Sequence, residues 1–260
     1  MKIAIIGVGA MGGAIAKGLV KSGVLPSDIT VSAPHQSTLN QYERLGISVT
    51  TDNRVAARKA DVIMIAVKPW LVETVVGEIK PELDFDRQAI VCVAAGIKGE
   101  QLAEWLKGKA MKSAEIMLCI PNIAIEELSS MTFLANVSAS DETVKTISDL
   151  FAKMGEAKIV AEKQLSAGCT IASCGIAYAL RYIRAAVEGS VELGFKAGEA
   201  QQIVAQTLAG TVKLLQSSGK HPEELIDAVT TPGGLTIKGL NAMERNGFSN
   251  AVIEGLKAGI

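Results

Sequence analysis

Neither sign of charge dominates this 260-residue sequence: 26 lysines and arginines stand against 27 aspartates and glutamates, a formal net charge of -1. That balance gives no electrostatic reason to expect nucleic acid or an anionic membrane as partner, and it leaves small molecules and other protein chains. Charge of either sign is sparse, at 20% of residues against 48% apolar, the reverse of what a disordered chain needs. Cysteine and histidine are scarcer still. The four cysteines, Cys92, Cys119, Cys169 and Cys174, form no C-x-x-C pair, and only His35 and His221 are available to complete a metal site. Neither a disulfide framework nor a bound metal is expected. Each thiol sits in an apolar stretch, where it behaves as a small hydrophobe, and the reduced cytosol fits best.

An uninterrupted membrane span is also lacking. Residues 3–20 are almost uncharged, but five glycines interrupt them and Lys17 sits inside. The stretch reads as a buried strand, a glycine turn and a helix, and no targeting segment is expected.

What is present is alternation. Up to about residue 160, β-rich runs at 2–6, 29–32, 62–66, 89–94, 115–120, 132–136 and 158–160 are mostly continuous apolar stretches, as expected for parallel strands covered on both faces. Helical stretches at 11–22, 38–45 and 55–59 lie between the first few. The expected fold is α/β, a Rossmann-type doubly wound parallel sheet over residues 1–160, followed by an all-helical domain over 161–260. In that second part residues 162–194 put Ile176, Leu180, Ile183, Val187 and Val191 on one stripe, and helices are expected at 199–217, 222–229, 235–246 and 250–258. A helix apolar on several faces needs more cover than a domain of ~100 residues supplies, so an intertwined homo-oligomer is expected.

Gly7, Val8, Gly9, Ala10, Met11 and Gly12 form a G-x-G-x-x-G segment that follows the first strand and opens the first helix, the context a dinucleotide fingerprint requires. Its glycines permit the turn, the approach of a pyrophosphate and close helix–sheet packing, while the helix start holds the phosphates. About twenty residues on, where an NAD site places Asp or Glu, the second strand ends at Ser32 with Ala33-Pro34-His35-Gln36-Ser37 behind it. With no carboxylate there, and with Ser32, Ser37 and a nearby amide able to donate to a 2′-phosphate, NADP(H) is favoured over NAD(H). The arginine that usually accompanies that preference is also missing.

These residues, with Asn53, Ala66-Val67-Lys68-Pro69, Ala94-Ala95-Gly96-Ile97, Pro121-Asn122 and Val229-Thr230-Thr231-Pro232-Gly233-Gly234-Leu235-Thr236, make the chain resemble the pyrroline-5-carboxylate reductase family over essentially its whole length. It departs from the family at Ile123-Ala124, usually Thr-Pro, and at Cys174, usually serine at the start of the long helix. The resemblance implies a cytoplasmic enzyme that reduces 1-pyrroline-5-carboxylate to L-proline, and a homodimer or larger homo-oligomer interlocked through the helical domain. It implies that Ala66, Val67, Lys68 and Pro69 pass beneath the adenosine side of the cofactor, with Lys68 orienting the cofactor rather than acting as a base. It implies that Ala94, Ala95 and Gly96 present backbone to the nicotinamide ribose and that Asn53 bonds the adenosine ribose or its phosphate. Thr231, Gly233 and Gly234 would meet the substrate carboxylate, and Thr236, the expected catalytic contact, would reach the ring nitrogen. At the start of a helix Thr236 also reads as a capping residue. Two other readings stand beside this one. A β-hydroxyacid dehydrogenase needs a lysine in the long helix, where residues 166–195 offer only Arg181 and Arg184, and arginine does not lose its proton. A non-catalytic NADP-binding sensor has no need of a carboxylate pocket.

Overall fold

The computed structural model describes residues 1–107 and 113–260. Its first compact unit, Met1–Ser173, is built on one eight-stranded sheet. The strands are β1 Ile3–Ile6, β2 Ile29–Ser32, β3 Ser48–Thr50, β4 Val62–Ile65, β5 Ala89–Cys92, β6 Glu115–Ile120, β7 Ser130–Asn136 and β8 Gly155–Ile159, in the order β3-β2-β1-β4-β5-β6-β7-β8. The helices are α1 Ala10–Lys21, α2 Gln36–Glu43, α3 Asn53–Arg58, α4 Val72–Ile79, α5 Gly99–Leu106, α6 Asp141–Ala152 and α7 Leu165–Gly168.

Continuous apolar runs became central strands because both faces of the sheet are covered. Ile3 and Ile5 point into a core shared with Ile15 and Leu19 of α1 and Phe151 of α6. Ala4 and Ile6 point the other way, into a core shared with Val72 and Val76 of α4 and Leu102 of α5. The two-residue period of a strand puts alternate side chains in different layers.

The sheet is not parallel throughout. β6 and β7 pair antiparallel, with Leu118 opposite Ala135. Residues 121–129 between them hold only a 3-10 turn, Ile123–Glu127, and a parallel crossover needs a dozen residues or more. β3, α4, α5 and α6 add to the elements expected from the sequence. The first unit also runs past residue 160. Leu165 is buried, a Cβ on Gly168 would lie 2.7 Å from the Phe133 ring, and Ser173 Oγ donates to the Pro121 carbonyl at 3.1 Å. A π turn, Cys169–Cys174, carries the chain into α8.

The second unit, Cys174–Ile260, is entirely helical: α8 Gly175–Glu192, α9 Ala197–Ser218, α10 Pro222–Ala228, α11 Leu235–Arg245 and α12 Phe248–Lys257. α8 packs along α9, and α11 along α12. Ala200 is its one buried apolar side chain, whereas Leu180, Leu193 and Leu235 are 57%, 82% and 87% exposed. Among the described residues no helix is long and apolar enough to cross a membrane.

Candidate dinucleotide groove and anion turn

Strand order reverses at β1, which lies between β2 and β4, and an open α/β sheet binds its ligands at the strand ends of such a switch point. The glycine loop leaves β1 there. Gly12 lies under the loop, where a Cβ would come within 1.9 Å of the Gly7 carbonyl oxygen, so no other residue lets the first turn of α1 tuck against the strand. The Val8 side chain is buried in the core and pins the loop. No side chain caps α1, so its first N–H groups stay available, and nothing lies within 4 Å of the place a Cβ would take on Gly9. An open, uncapped helix start of this kind fits a pyrophosphate.

Two clefts meet at this loop, sharing Gly7, Val67 and Leu71. The first, of about 460 Å³, is lined by Gly9, Ala10, Met11, Ala66, Lys68, Pro69, Ala94 and Ala95, and closed by Ile120, Pro121, Cys169 and Ser173. Most of the cofactor residues expected from the sequence thus come together on one surface. Gly96 follows this lining, exposed, with φ +83°. Lys68 is exposed and extended ahead of the 3-10 turn Pro69–Leu71. The second cleft, of about 510 Å³, holds Ser32 and Asn53 together with Thr51, Asp52, Arg54, Thr74 and Glu78.

Ser32 and Asn53 touch. The fully buried Ser32 donates its hydroxyl to Asn53 Oδ1 at 2.8 Å, and Asn53 Nδ2 donates to Glu78 Oε2 on α4 at 2.7 Å. An arginine does line this end: Arg54, beside Asn53, whose N–H donates to the N-capping Asp52 at 2.9 Å. It lies outside the segment behind β2, residues 33–37, which carries no arginine. It follows the three-residue edge strand β3, not β2, and β3 carries no apolar run to announce it. Ser173 was also not expected here. It lines the first cleft one residue before Cys174, where the family has serine, with its hydroxyl on the Pro121 carbonyl.

The second unit gathers the other expected residues. Gly234 N–H donates to the Thr231 carbonyl at 3.0 Å and Gly233 has φ +71°, which with Pro232 makes a type II turn whose third position needs glycine. Thr231 Oγ1 stands over the turn, 2.5 Å from where a Cβ on Gly234 would lie. Gly234 occupies the N-cap of α11 and no side chain caps the helix, so Thr236 is its second residue and not its cap. Thr231 and Thr236 are exposed at this open helix start, which presents N–H groups and two hydroxyls as an anion receptor requires.

Acid–base and metal machinery is sparse. No group of three or more metal-ligating side chains exists among the described residues. Burial pushes the Cys92 thiol up to about 11, and Cys119 well above its ordinary value, the neighbouring Cys92 adding to burial there. Both are core side chains. On α8 Arg184 Nε pairs with Glu188 at 2.8 Å.

Residues 2–96 match a family model described as NADP oxidoreductase coenzyme F420-dependent, and residues 162–260 match one described as pyrroline-5-carboxylate reductase dimerisation. The chain is 36% identical to pyrroline-5-carboxylate reductase 1 of Dictyostelium discoideum over 98% of its own length and 48% of that protein, so it spans about half of that relative. It is 35% identical to pyrroline-5-carboxylate reductase 2 of the same organism, covering 98% of this chain and 89% of the other. Among solved structures, a Plasmodium falciparum pyrroline carboxylate reductase with NADP bound superposes with a TM-score of 0.88 at 24% identity, covering 100% of this chain and 95% of that one.

Proposed function

Because the chain belongs to the pyrroline-5-carboxylate reductase family, we propose that it reduces 1-pyrroline-5-carboxylate to L-proline with NADPH, as a cytoplasmic homodimer or larger homo-oligomer. The observation that carries the reading is the pairing, in one chain, of an uncapped glycine loop at a sheet's switch point with an uncapped Thr231–Thr236 turn and helix start. The first fits a dinucleotide, the second a small carboxylate. When bound, the nicotinamide supplies a hydride for the C=N carbon. Every other requirement falls to the protein.

An imine protonated at nitrogen is already electrophilic, so the chain needs no nucleophile and must hold the reacting atoms roughly 3–3.5 Å apart. Thr231, Gly233 and Gly234 neutralise and orient the substrate carboxylate through hydroxyl and N–H donors. Thr236 Oγ holds the ring nitrogen in place. Gly7, Gly9, Ala10, Met11 and Gly12 carry the pyrophosphate, Val8 anchors their loop from the core, and Ser32 and Asn53 hold the adenosine ribose. Ala66, Val67, Lys68 and Pro69 line the path between, with Ala94, Ala95 and Gly96 at the far ribose. The exposed apolar faces of α8, α9 and α12 are covered by a second copy, which gives the helical unit the core it lacks alone. A reducing compartment agrees with the buried, inert thiols of Cys92 and Cys119.

The test is NADPH oxidation with pyrroline-5-carboxylate, with a 3-oxo acid and with neither. Turnover with the imine alone is expected. Turnover with the 3-oxo acid instead makes the chain a β-hydroxyacid dehydrogenase, and binding of NADPH without turnover of either makes it a sensor.

A further inference from the structure

The 510 Å³ cleft holds charges of both signs, and its hydrogen bonds fix what each can do. An ionised Glu78 only accepts, so the nitrogen of the Asn53 amide must face it and the oxygen must face Ser32. Ser32 then spends its single hydroxyl proton on Asn53. Ser32 is fully buried, so the acceptor that the cleft offers a ligand is the half-buried Glu78 carboxylate. A ribose 2′-hydroxyl, which can donate, is met by such an acceptor as it would be by the aspartate of an NAD site. A 2′-phosphate, which brings acceptor oxygens and negative charge, is not.

Arg54 works in the opposite direction. It lines the same cleft, is exposed, and makes no ion pair among the described residues. The remaining acid of the cleft, Asp52, is engaged in capping α3, where it accepts from the Arg54 N–H. A guanidinium presents donors in a fixed fork suited to phosphate.

We propose that Arg54 and Glu78 together set the ratio in which the enzyme accepts NADPH and NADH: Arg54 as the 2′-phosphate ligand, and Glu78 as the carboxylate that favours a 2′-hydroxyl over a 2′-phosphate. The inference rests on the dinucleotide reading above and deepens it.

Glu78→Gln keeps the length of the side chain and removes its charge. The glutamine oxygen can still accept from Asn53 Nδ2, while the cleft loses the negative charge that opposes a 2′-phosphate. Arg54→Ala removes the phosphate ligand and leaves the Glu78 carboxylate in place. The two variants therefore move the ratio in opposite directions, which a loss of folding does not do.

The measurement is calorimetric titration of the full-length protein with 2′,5′-ADP, which carries the 2′-phosphate, and with 5′-AMP, which does not. It is accompanied by kcat/KM for NADPH and NADH. In Glu78→Gln the preference for 2′,5′-ADP over 5′-AMP should rise about tenfold; in Arg54→Ala it should fall about tenfold or more, with 5′-AMP affinity nearly unchanged. The kcat/KM ratios should follow. If both nucleotides bind and neither variant moves the ratio, or both move it the same way, the proposal is overturned while the dinucleotide reading stands. If the unmodified protein binds neither nucleotide, both fall together.

Discussion

The two halves of this chain solve the problem of burial differently. In Met1–Ser173, strands β1, β4 and β5 are buried along their whole length, and two helical layers close the sheet on both sides. In Cys174–Ile260, five helices bury one apolar side chain, Ala200, and leave leucines, isoleucines and tyrosines in the open. The first unit completes its own core. The second is a half-core, and its long helix is apolar on more faces than its neighbours cover. The contrast teaches that hydrophobic content alone does not measure stability: the same share of apolar residues can build a finished domain or an unfinished interface.

The sharpest way to probe that contrast is to truncate one leucine or isoleucine in each half. Ile15→Ala, in α1 and fully buried, should cost about 2–5 kcal/mol through lost burial and the cavity left behind. Its fall in Tm should not depend on protein concentration. Leu180→Ala, on exposed α8, should lower Tm in a concentration-dependent way, because its partners belong to another copy. Differential scanning calorimetry across a hundredfold dilution distinguishes the two. Equal, concentration-independent losses would erase the distinction.

Next in size is Thr236→Ala. Gly234 and not Thr236 caps α11, so stability should hardly change, while the lost bond to a cationic imine or its carboxylate should cost about 1.5–3 kcal/mol. That is a loss of about 10–100-fold in kcat/KM for pyrroline-5-carboxylate. A variant that melts several degrees lower with normal turnover would make Thr236 structural. Smaller again is Ser32→Asp in the first half, which should shift kcat/KM from NADPH toward NADH by about tenfold as a carboxylate meets the 2′-phosphate. No change in the ratio would remove Ser32 from the cofactor site. The smallest effect expected is none. With burial holding the Cys92 thiol up at about 11 and Cys119 higher than usual, neither should react with iodoacetamide at pH 8 in the native protein, and both should react in guanidinium. Native labelling at either position, read by peptide mass spectrometry, would mean the first half opens more readily than its packing allows.

How much of this the sequence discloses depends on where each feature is encoded. The glycine loop is legible because a backbone requirement is written as residue spacing: only glycine survives at position 12, against the Gly7 carbonyl. The Thr231–Gly234 turn is legible for the same reason. The buried parallel strands are legible as apolar runs. β3 is not, since Ser48, Val49 and Thr50 form a short, half-exposed edge held in place by β2, and with β3 unseen Arg54 had no place in the site. Glu78 stands 25 residues from Asn53 along the chain, and their bond exists only because α3 and α4 pack together. The antiparallel turn of β7 depends on the length of the preceding loop, a quantity that strand composition does not carry. Whether Thr236 caps its helix is decided by two residues of register, since the cap falls at Gly234.

The helical half is expected to become a finished structure, and the enzyme a working one, only with a second copy. The direct measurement is light scattering of the full chain at micromolar concentration, taken alongside NADPH oxidation with pyrroline-5-carboxylate on the same sample. A mass of at least twice the 27.2 kDa of one chain is expected, with activity lost in step when dilution or Leu180→Asp drives the mass down. A soluble 27.2 kDa species with full activity would contradict it.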